Sequence, residues 1–267
     1  MEKNNRMSIF VSSPNSYSDI FKIFYECYKK YWSDCIYEFI LSTNNQSYKD
    51  ITVINNYKDN DNWTDRTVNV IKNINTKYIM LFCDDIFIID KVDNLKIEKI
   101  LDYMDNNNIN FCRLEPVKKG TRIKEVSWLS RVSKHLPSAI NLQYGIFNRN
   151  YLIELLGDGT LDAWSIEKKL NKDMLDAKNQ LFEDVIACNS SVIEVVHGIS
   201  KGKWYPSALK KLDEAQISYN ISRDIISSQL EKRQRLFSAF SLYLTPKMRK
   251  KIKHILSIFG FEFVTEN

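Results

Sequence analysis

Apolar and polar positions fall in blocks along this chain. Residues 7–13, "MSIFVSS", form a short apolar run closed by Ser12, Ser13 and Pro14, which predicts a buried strand running into a turn. In "YSDIFKIFYECYKKYW", Ile20, Phe21, Phe24, Tyr28, Tyr31 and Trp32 have helical spacing, with Ser18 or Asp19 as N-cap. "IYEFILST" and "ITVIN" read as two strands, each followed by an Asn-rich turn in solvent. "DNWTDRTVNVIKNI" puts Trp63, Val70, Ile71 and Ile74 on one helical face, and "KYIMLF" is again a strand. Strand, helix, strand, strand, helix, strand is the alternation of a mostly parallel sheet covered by helices.

The pattern continues with a helix through Ile97, Ile100, Leu101 and Met104 and a strand in "INFCRLEP". A mixed-charge loop, 117–135, leads to "AINLQYGIFNRN". The helix "YLIELLG" stops at Gly157, and "GTLDAWSIEKKL" starts another with Asp162 as its cap. In "VIEVVHGISKGKWYP" a strand ends at His197 and Gly198. "TPKMRKKIKHILSIFGFEF" predicts a last helix beginning at Pro246, with Met248, Ile252, Ile255, Leu256 and Phe259 on one face. The expected class is α/β, a Rossmann-related, mostly parallel mixed sheet flanked by helices, in a domain of residues 1–215. Residues 216–267 form a C-terminal helical region with a basic amphipathic helix.

Composition narrows the class. With 267 residues and 44% hydrophobic content, the chain can bury a substantial core; 7 Gly and 5 Pro exclude a collagen-like or disordered chain. The 5 cysteines are scattered and none forms a CxxC pair, which predicts reduced thiols in a cytosol and no zinc site. No apolar run has the length of a signal peptide core or a membrane span. The net charge of +5 resides in "KMRKKIK" at 247–253, which carries five basic residues and leaves 33 basic against 33 acidic elsewhere. A neutral body is not the broad basic surface of a nucleic-acid binder.

Candidate chemistry centres on "KYIMLFCDDIFIID", where an apolar strand stops on Asp84 and Asp85. In parallel sheets ligands bind beyond the carboxyl ends of the strands. Adjacent carboxylates there repel unless a cation or donor compensates, and Mg2+ or Mn2+ holding a diphosphate would do so. The plainer alternative has one Asp capping a turn and the other solvated. No GxGxxG or GxxxxGK[ST] occurs, which argues against dinucleotide-dependent dehydrogenases and P-loop enzymes. Trp164 and Glu167 share a helix face, either at a site or as a core Trp and a solvated Glu. His197 stands at a strand end beside Gly198, Lys201, Gly202 and Lys203.

Three segments carry a likeness to known enzymes: "NWTDRTVNVIKNINTKYIMLFCDDIFI", "INLQYGIFNRNYLIELLGDGTLDAWSIE" and "HGISKGKW". Over roughly residues 7 to 210 the chain resembles bacterial nucleotide-sugar glycosyltransferases of the GT-A fold, of the kind that builds capsule, lipopolysaccharide and other surface glycans. "CDDIF" departs from that family's strict Asp-x-Asp triplet. The resemblance implies a divalent metal (Mn2+ or Mg2+) on Asp85, with Asp84 nearer the ribose. Ser12, Ser13 and Tyr17 would hold the nucleoside, Tyr17 by stacking on the base, and Asn55 would add a base or ribose contact. Arg66 either touches the donor or pairs with an acid.

On the acceptor side, the resemblance makes Glu167 the general base of an inverting transfer and Trp164 a wall for the acceptor sugar. "HGISKGKW" is similar to an element that some retaining members use, which implies metal contact by His197 and diphosphate contact by Lys203. The expected partners are a UDP-sugar donor, a glycan or lipid-linked acceptor and an anionic membrane surface, with no nucleic acid. The expected location is cytoplasmic, peripheral on the inner face of the cell membrane. The alternatives are a nucleotidyltransferase acting on sugar phosphates and a non-catalytic binding module.

Overall fold

The computed structural model describes residues 4–55, 62–117, 120–133, 139–173, 185–241, 244 and 246–258. The chain packs as two units, residues 1–195 and 196–267. The boundary expected at 215/216 falls within the second of these units.

In the first unit, β1 (Asn4–Ser12), α1 (Ser18–Tyr31), β2 (Tyr37–Thr43), β3 (Thr52–Asn55), α2 (Trp63–Ile71) and β4 (Tyr78–Phe82) reproduce the alternation expected from the sequence. Then come β5 (Ile86–Ile88), α3 (Asn94–Asn107), β6 (Phe111–Arg113), β7 (Thr121–Arg122), β8 (Leu129–Arg131), β9 (Tyr144–Asn148), α4 (Arg149–Leu156), α5 (Ala163–Asp173) and β10 (Val185–Cys188). Among the described residues, nine of these strands form one sheet in the order β3-β2-β1-β4-β9-β6-β10-β8-β7. β3, β2, β1 and β4 are mutually parallel, as are β6 and β10, while β9 runs against both β4 and β6. β8 runs against β10, and β7 against β8. Seven of the nine strands thus point one way. This is the α/β, mostly parallel mixed sheet that the sequence predicts.

β4 lies between β1 and β9, and all five of its residues are buried. A strand covered on both faces has no polar side, so it reads as a continuous apolar run. Ile79 and Leu81 share a core with Val68 and Ile71 of α2, Leu152 and Leu156 of α4 and Ile166 of α5. On the other face Phe82 meets Phe24 of α1 at 5.7 Å between ring centroids. Gly145 lets β9 sit close to β6: a Cβ there would fall 2.7 Å from Cε2 of Phe111. At the amino edge of the sheet, Arg6 pairs with Glu98, Asp102 and Asp105 of α3 at 2.6, 2.9 and 2.8 Å.

Two local expectations are corrected. Neither Ser18 nor Asp19 caps α1: a 3-10 turn, Asn15–Tyr17, runs straight into it, and Tyr17 N–H donates to the Pro14 carbonyl at 2.9 Å. The stretch 117–135 is not all loop, because β8 finds a partner in β10, far along the chain, and β7 then pairs with β8.

The last residue of the first unit opens β11 (Val195–His197), and the second unit continues with a hairpin of β12 (Ile199–Ser200) and β13 (Lys203–Trp204). Its two turn residues, Lys201 and Gly202, have φ of 48° and 76°, both in the left-handed region that a two-residue hairpin requires. α6 (Pro206–Glu214), α7 (Ser228–Ser241) and α8 (Pro246–Ile258) follow, the last beginning at Pro246 as expected. Buried Glu231 of α7 accepts from the backbone N–H of Ser207 in the first turn of α6 at 3.1 Å and from Arg235 at 2.8 Å.

Candidate active site

Strand register brings the predicted donor residues to one edge. Ser12 lies opposite Ser42, Asn55 opposite Thr43, and Val11 opposite Phe82, so Ser12, Ser13, Asn55 and the Asp pair all stand at the carboxyl ends of parallel strands. Asp84 and Asp85 occupy a tight turn between β4 and β5, closed by Ile86 N–H donating to the Cys83 carbonyl at 3.2 Å. This explains why apolar residues flank the pair on both sides: each side is a strand. Asp84 is buried and accepts from buried Ser13 Oγ at 2.6 Å, while Asp85 is half-buried.

Glu167 comes to the same place by a non-local route. The start of β9 lies antiparallel beside the end of β4, and Cys83 N–H donates to the Gln143 carbonyl at 2.8 Å. One residue earlier, Leu142 N–H donates to Glu167 Oε1 at 3.3 Å. The Cys83 thiol reports the outcome: burial first, then the charges of Asp85, Asp84 and Glu167, push it well above the ordinary thiol range. Cys83 thus lies within electrostatic reach of three carboxylates. Burial also lifts Glu167 above the ordinary carboxyl range; the Leu142 amide and Arg113 oppose this, and Glu115 adds to it.

The sequence elements that aim α5 are explicit. Asp162 caps it, accepting from the Trp164 and Ser165 amides at 2.9 Å each. The Ser165 hydroxyl and amide hold the Asp162 carboxyl below its usual range. Before the cap, Thr64 of α2 clasps Leu161: its N–H and Oγ1 donate to the Leu161 carbonyl at 3.1 and 2.7 Å. Gly159, at φ 81°, lies so near α2 that a Cβ would fall 2.8 Å from Asp65 Cα. Trp164 is 53% exposed, so it is not a core residue, and Glu167, one turn on, is half-buried rather than solvated.

The other predicted residues stand as follows. Tyr17 closes the 3-10 turn after Ser13 and is half-buried, and Arg66 is half-buried on α2. His197 and Lys203 belong to the second unit, where Lys203 pairs with Asp224 at 3.2 Å. Among the described residues no group of three or more His, Cys, Asp and Glu is placed to hold a metal ion. The half-buried Asp85 carboxylate, beside a second carboxylate, is a hard-oxygen donor of the type Mg2+ and Mn2+ prefer when substrate phosphates complete the shell.

Sequence reasoning missed several neighbours of Glu167. Arg113 and Glu115, at the end of β6, form an ion pair, and buried Asn141 donates to Glu115 at 3.3 Å. The strand-end rule that singled out Asp84 applies equally to the "CRLE" that closes β6. The Asn tracts also do more than face solvent: Asn15 N–H donates to Asn44 Oδ1 at 2.8 Å, tying the β1 turn to the β2 turn.

The chain matches no protein-family model and no curated protein. Among solved structures, S. aureus TarS 1–349 in complex with UDP is 11% identical, over 92% of this chain and 77% of that chain, with a TM-score of 0.47. CMP:2-keto-3-deoxy-manno-octonic acid synthetase complexed with CTP is 13% identical, over 79% of this chain and 98% of that one, with a TM-score of 0.45. In two further TarS matches, this chain spans 59% of TarS 1–349 and 37% of the longer TarS structure. What the site can do follows from its own residues.

Proposed function

We propose that the chain is a metal-dependent, inverting glycosyltransferase. It would move a sugar from a nucleotide-diphosphate donor, a UDP-sugar in the favoured reading, to a glycan or lipid-linked acceptor in bacterial surface polysaccharide synthesis. The observation that supports this best is the placing of Asp84 and Asp85 in the turn after β4, and of Glu167 against the Leu142 amide beside the Gln143 carbonyl that receives Cys83 N–H, at the carboxyl edge of a mostly parallel sheet. Asp85 would hold Mn2+ or Mg2+. Bound there with the donor diphosphate, the cation supplies neutralisation of the departing nucleoside diphosphate.

The chain's own residues do the rest. Ser13 fixes Asp84 toward the ribose, while Ser12, Asn55 and Tyr17 frame the nucleoside and Arg66 the phosphates. Trp164 offers an exposed apolar face on which an acceptor sugar ring stacks. Glu167 takes the proton of the acceptor hydroxyl as that oxygen bonds to the anomeric carbon and the carbon–phosphate oxygen bond breaks. Burial makes Glu167 a stronger base than a solvated carboxylate, which suits that task. A nucleotidyltransferase would more naturally place Gly and Lys in the loop after its first strand, and "SSPNSYSD" has neither.

Incubation with a panel of nucleotide sugars and Mn2+ tests this reading. Metal-dependent release of a nucleoside diphosphate is the expected result. Release of pyrophosphate from a nucleoside triphosphate and a sugar phosphate would replace it with nucleotidyl transfer. No product from either panel would leave a binding module.

A further inference from the structure

Charge is divided unevenly between the two units. Residues 196–267 hold 13 of the 38 basic residues and 6 of the 33 acidic ones, an excess of +7 against −2 in residues 1–195. The exposed large apolar side chains are also concentrated there. Leu236 and Phe240 of α7 are 71% and 53% exposed, and Met248 and Ile255 of α8 are 51% and 50% exposed. On α7, Leu236 and Phe240 are four apart and continue a line begun by exposed Lys232. On α8, Met248, Ile252, Ile255 and Leu256 fall within an arc of about 100° at helical spacing. Lys247, Arg249, Lys250, Lys251 and Lys253 take the flanking and opposite register positions.

A helix docked wholly on its own domain would cover its apolar arc. Here two members of the arc stay half in solvent while Ile252 and Leu256 are half-buried. No helix among the described residues is long and apolar enough to cross a membrane. Exposed apolar residues set among cations make a poor surface for an acidic protein, whose rim would leave the apolar arc wet. They suit a bilayer, where acyl chains receive the apolar residues and headgroup phosphates the cations.

We propose that α8 presents an anionic-lipid docking surface, with Met248 and Ile255 entering the headgroup–acyl boundary and Lys251 and Lys253, which flank the apolar arc, pairing with lipid phosphates. The surface lies in the second unit and needs no nucleotide, so its test is independent of the transfer reaction.

The test uses the full chain, without nucleotide, sedimented with vesicles of phosphatidylcholine alone or mixed with phosphatidylglycerol. Binding to the mixed vesicles only, weakened by added salt, is expected. Lys251→Gln/Lys253→Gln should lower partitioning roughly tenfold or more, because each basic residue near the headgroups contributes on the order of 1 kcal/mol. Met248→Ser/Ile255→Ser should lower it comparably, with helix content by circular dichroism unchanged in both. Absence of binding, equal binding to both vesicle types, or binding indifferent to both double variants would overturn the proposal. So would a dimer in solution that Met248→Ser/Ile255→Ser dissociates, since a second copy would then be the occupant.

Discussion

Ser13 Oγ donates a 2.6 Å hydrogen bond to Asp84 Oδ2, joining the end of β1 to the turn after β4 inside a buried setting. A hydroxyl bonded to a charged group is worth about 1.5–3 kcal/mol when the charge is buried. Ser13→Ala should therefore destabilise the fold by about 2 kcal/mol. Urea unfolding measures this, and an unchanged midpoint would show that the bond contributes nothing.

Glu167 gives a kinetic prediction with a definite sign. Burial raises its pKa, so the carboxylate needed as base forms only above the ordinary Glu range. The acid limb of kcat should lie above that range and disappear in Glu167→Gln, whose turnover should fall about 100-fold or more while donor binding is kept. The same shift fixes the stability effect: a raised folded pKa contributes stability that is present in acid and lost as pH rises through it. At neutral pH the Gln variant should accordingly be at least as stable as the parent in thermal melts. Loss of donor affinity with turnover retained at saturation would move Glu167 to the binding side.

Gly159 tests how α5 is aimed. Gly159→Ala faces both a φ of 81° and backbone atoms of Asp65 2.8 Å from the new Cβ, and neither can yield without moving α2 or α5. A loss of about 1–3 kcal/mol is expected, with kcat reduced because Glu167 rides on α5. Gly157→Ala is the control: its φ is 69°, but the nearest atom to the new Cβ is Lys169 Nζ at 3.9 Å. It should cost a comparable amount, about 1–3 kcal/mol, because φ 69° with ψ −139° is glycine territory, but leave kcat alone. Equal effects on kcat would show that packing of the 157–162 loop does not position the site.

The carboxyl edge was legible because its strands are buried on both faces. Such strands read as unbroken apolar runs, so Asp84 and Asp85 announce the edge simply by interrupting one. Asp162 was legible for a similar reason, as a cap has a local signature. β7 and β8 were not: two and three residues long, they are strands only because β10 and one another supply partners. Glu167 was legible as a residue sharing a face with Trp164, but its bond to the Leu142 amide depends on antiparallel pairing of β9 with β4, which helical spacing does not encode. Arg113 and Glu115 reach this edge through the pairing of β6 with β9, although the end of β6 carried the same strand-end signal as Asp84.

The most direct measurement of the central claim is calorimetric titration of UDP into the parent and into Asp85→Asn, each with and without Mn2+. The substitution alters a half-buried turn at the sheet rim, so both proteins should melt at similar temperatures. Binding by the parent should require Mn2+ and fall at least about tenfold in Asp85→Asn, as for removal of a charged metal ligand. Equal Mn2+-dependent binding by both proteins, or no binding of any nucleoside diphosphate by the parent, would contradict it.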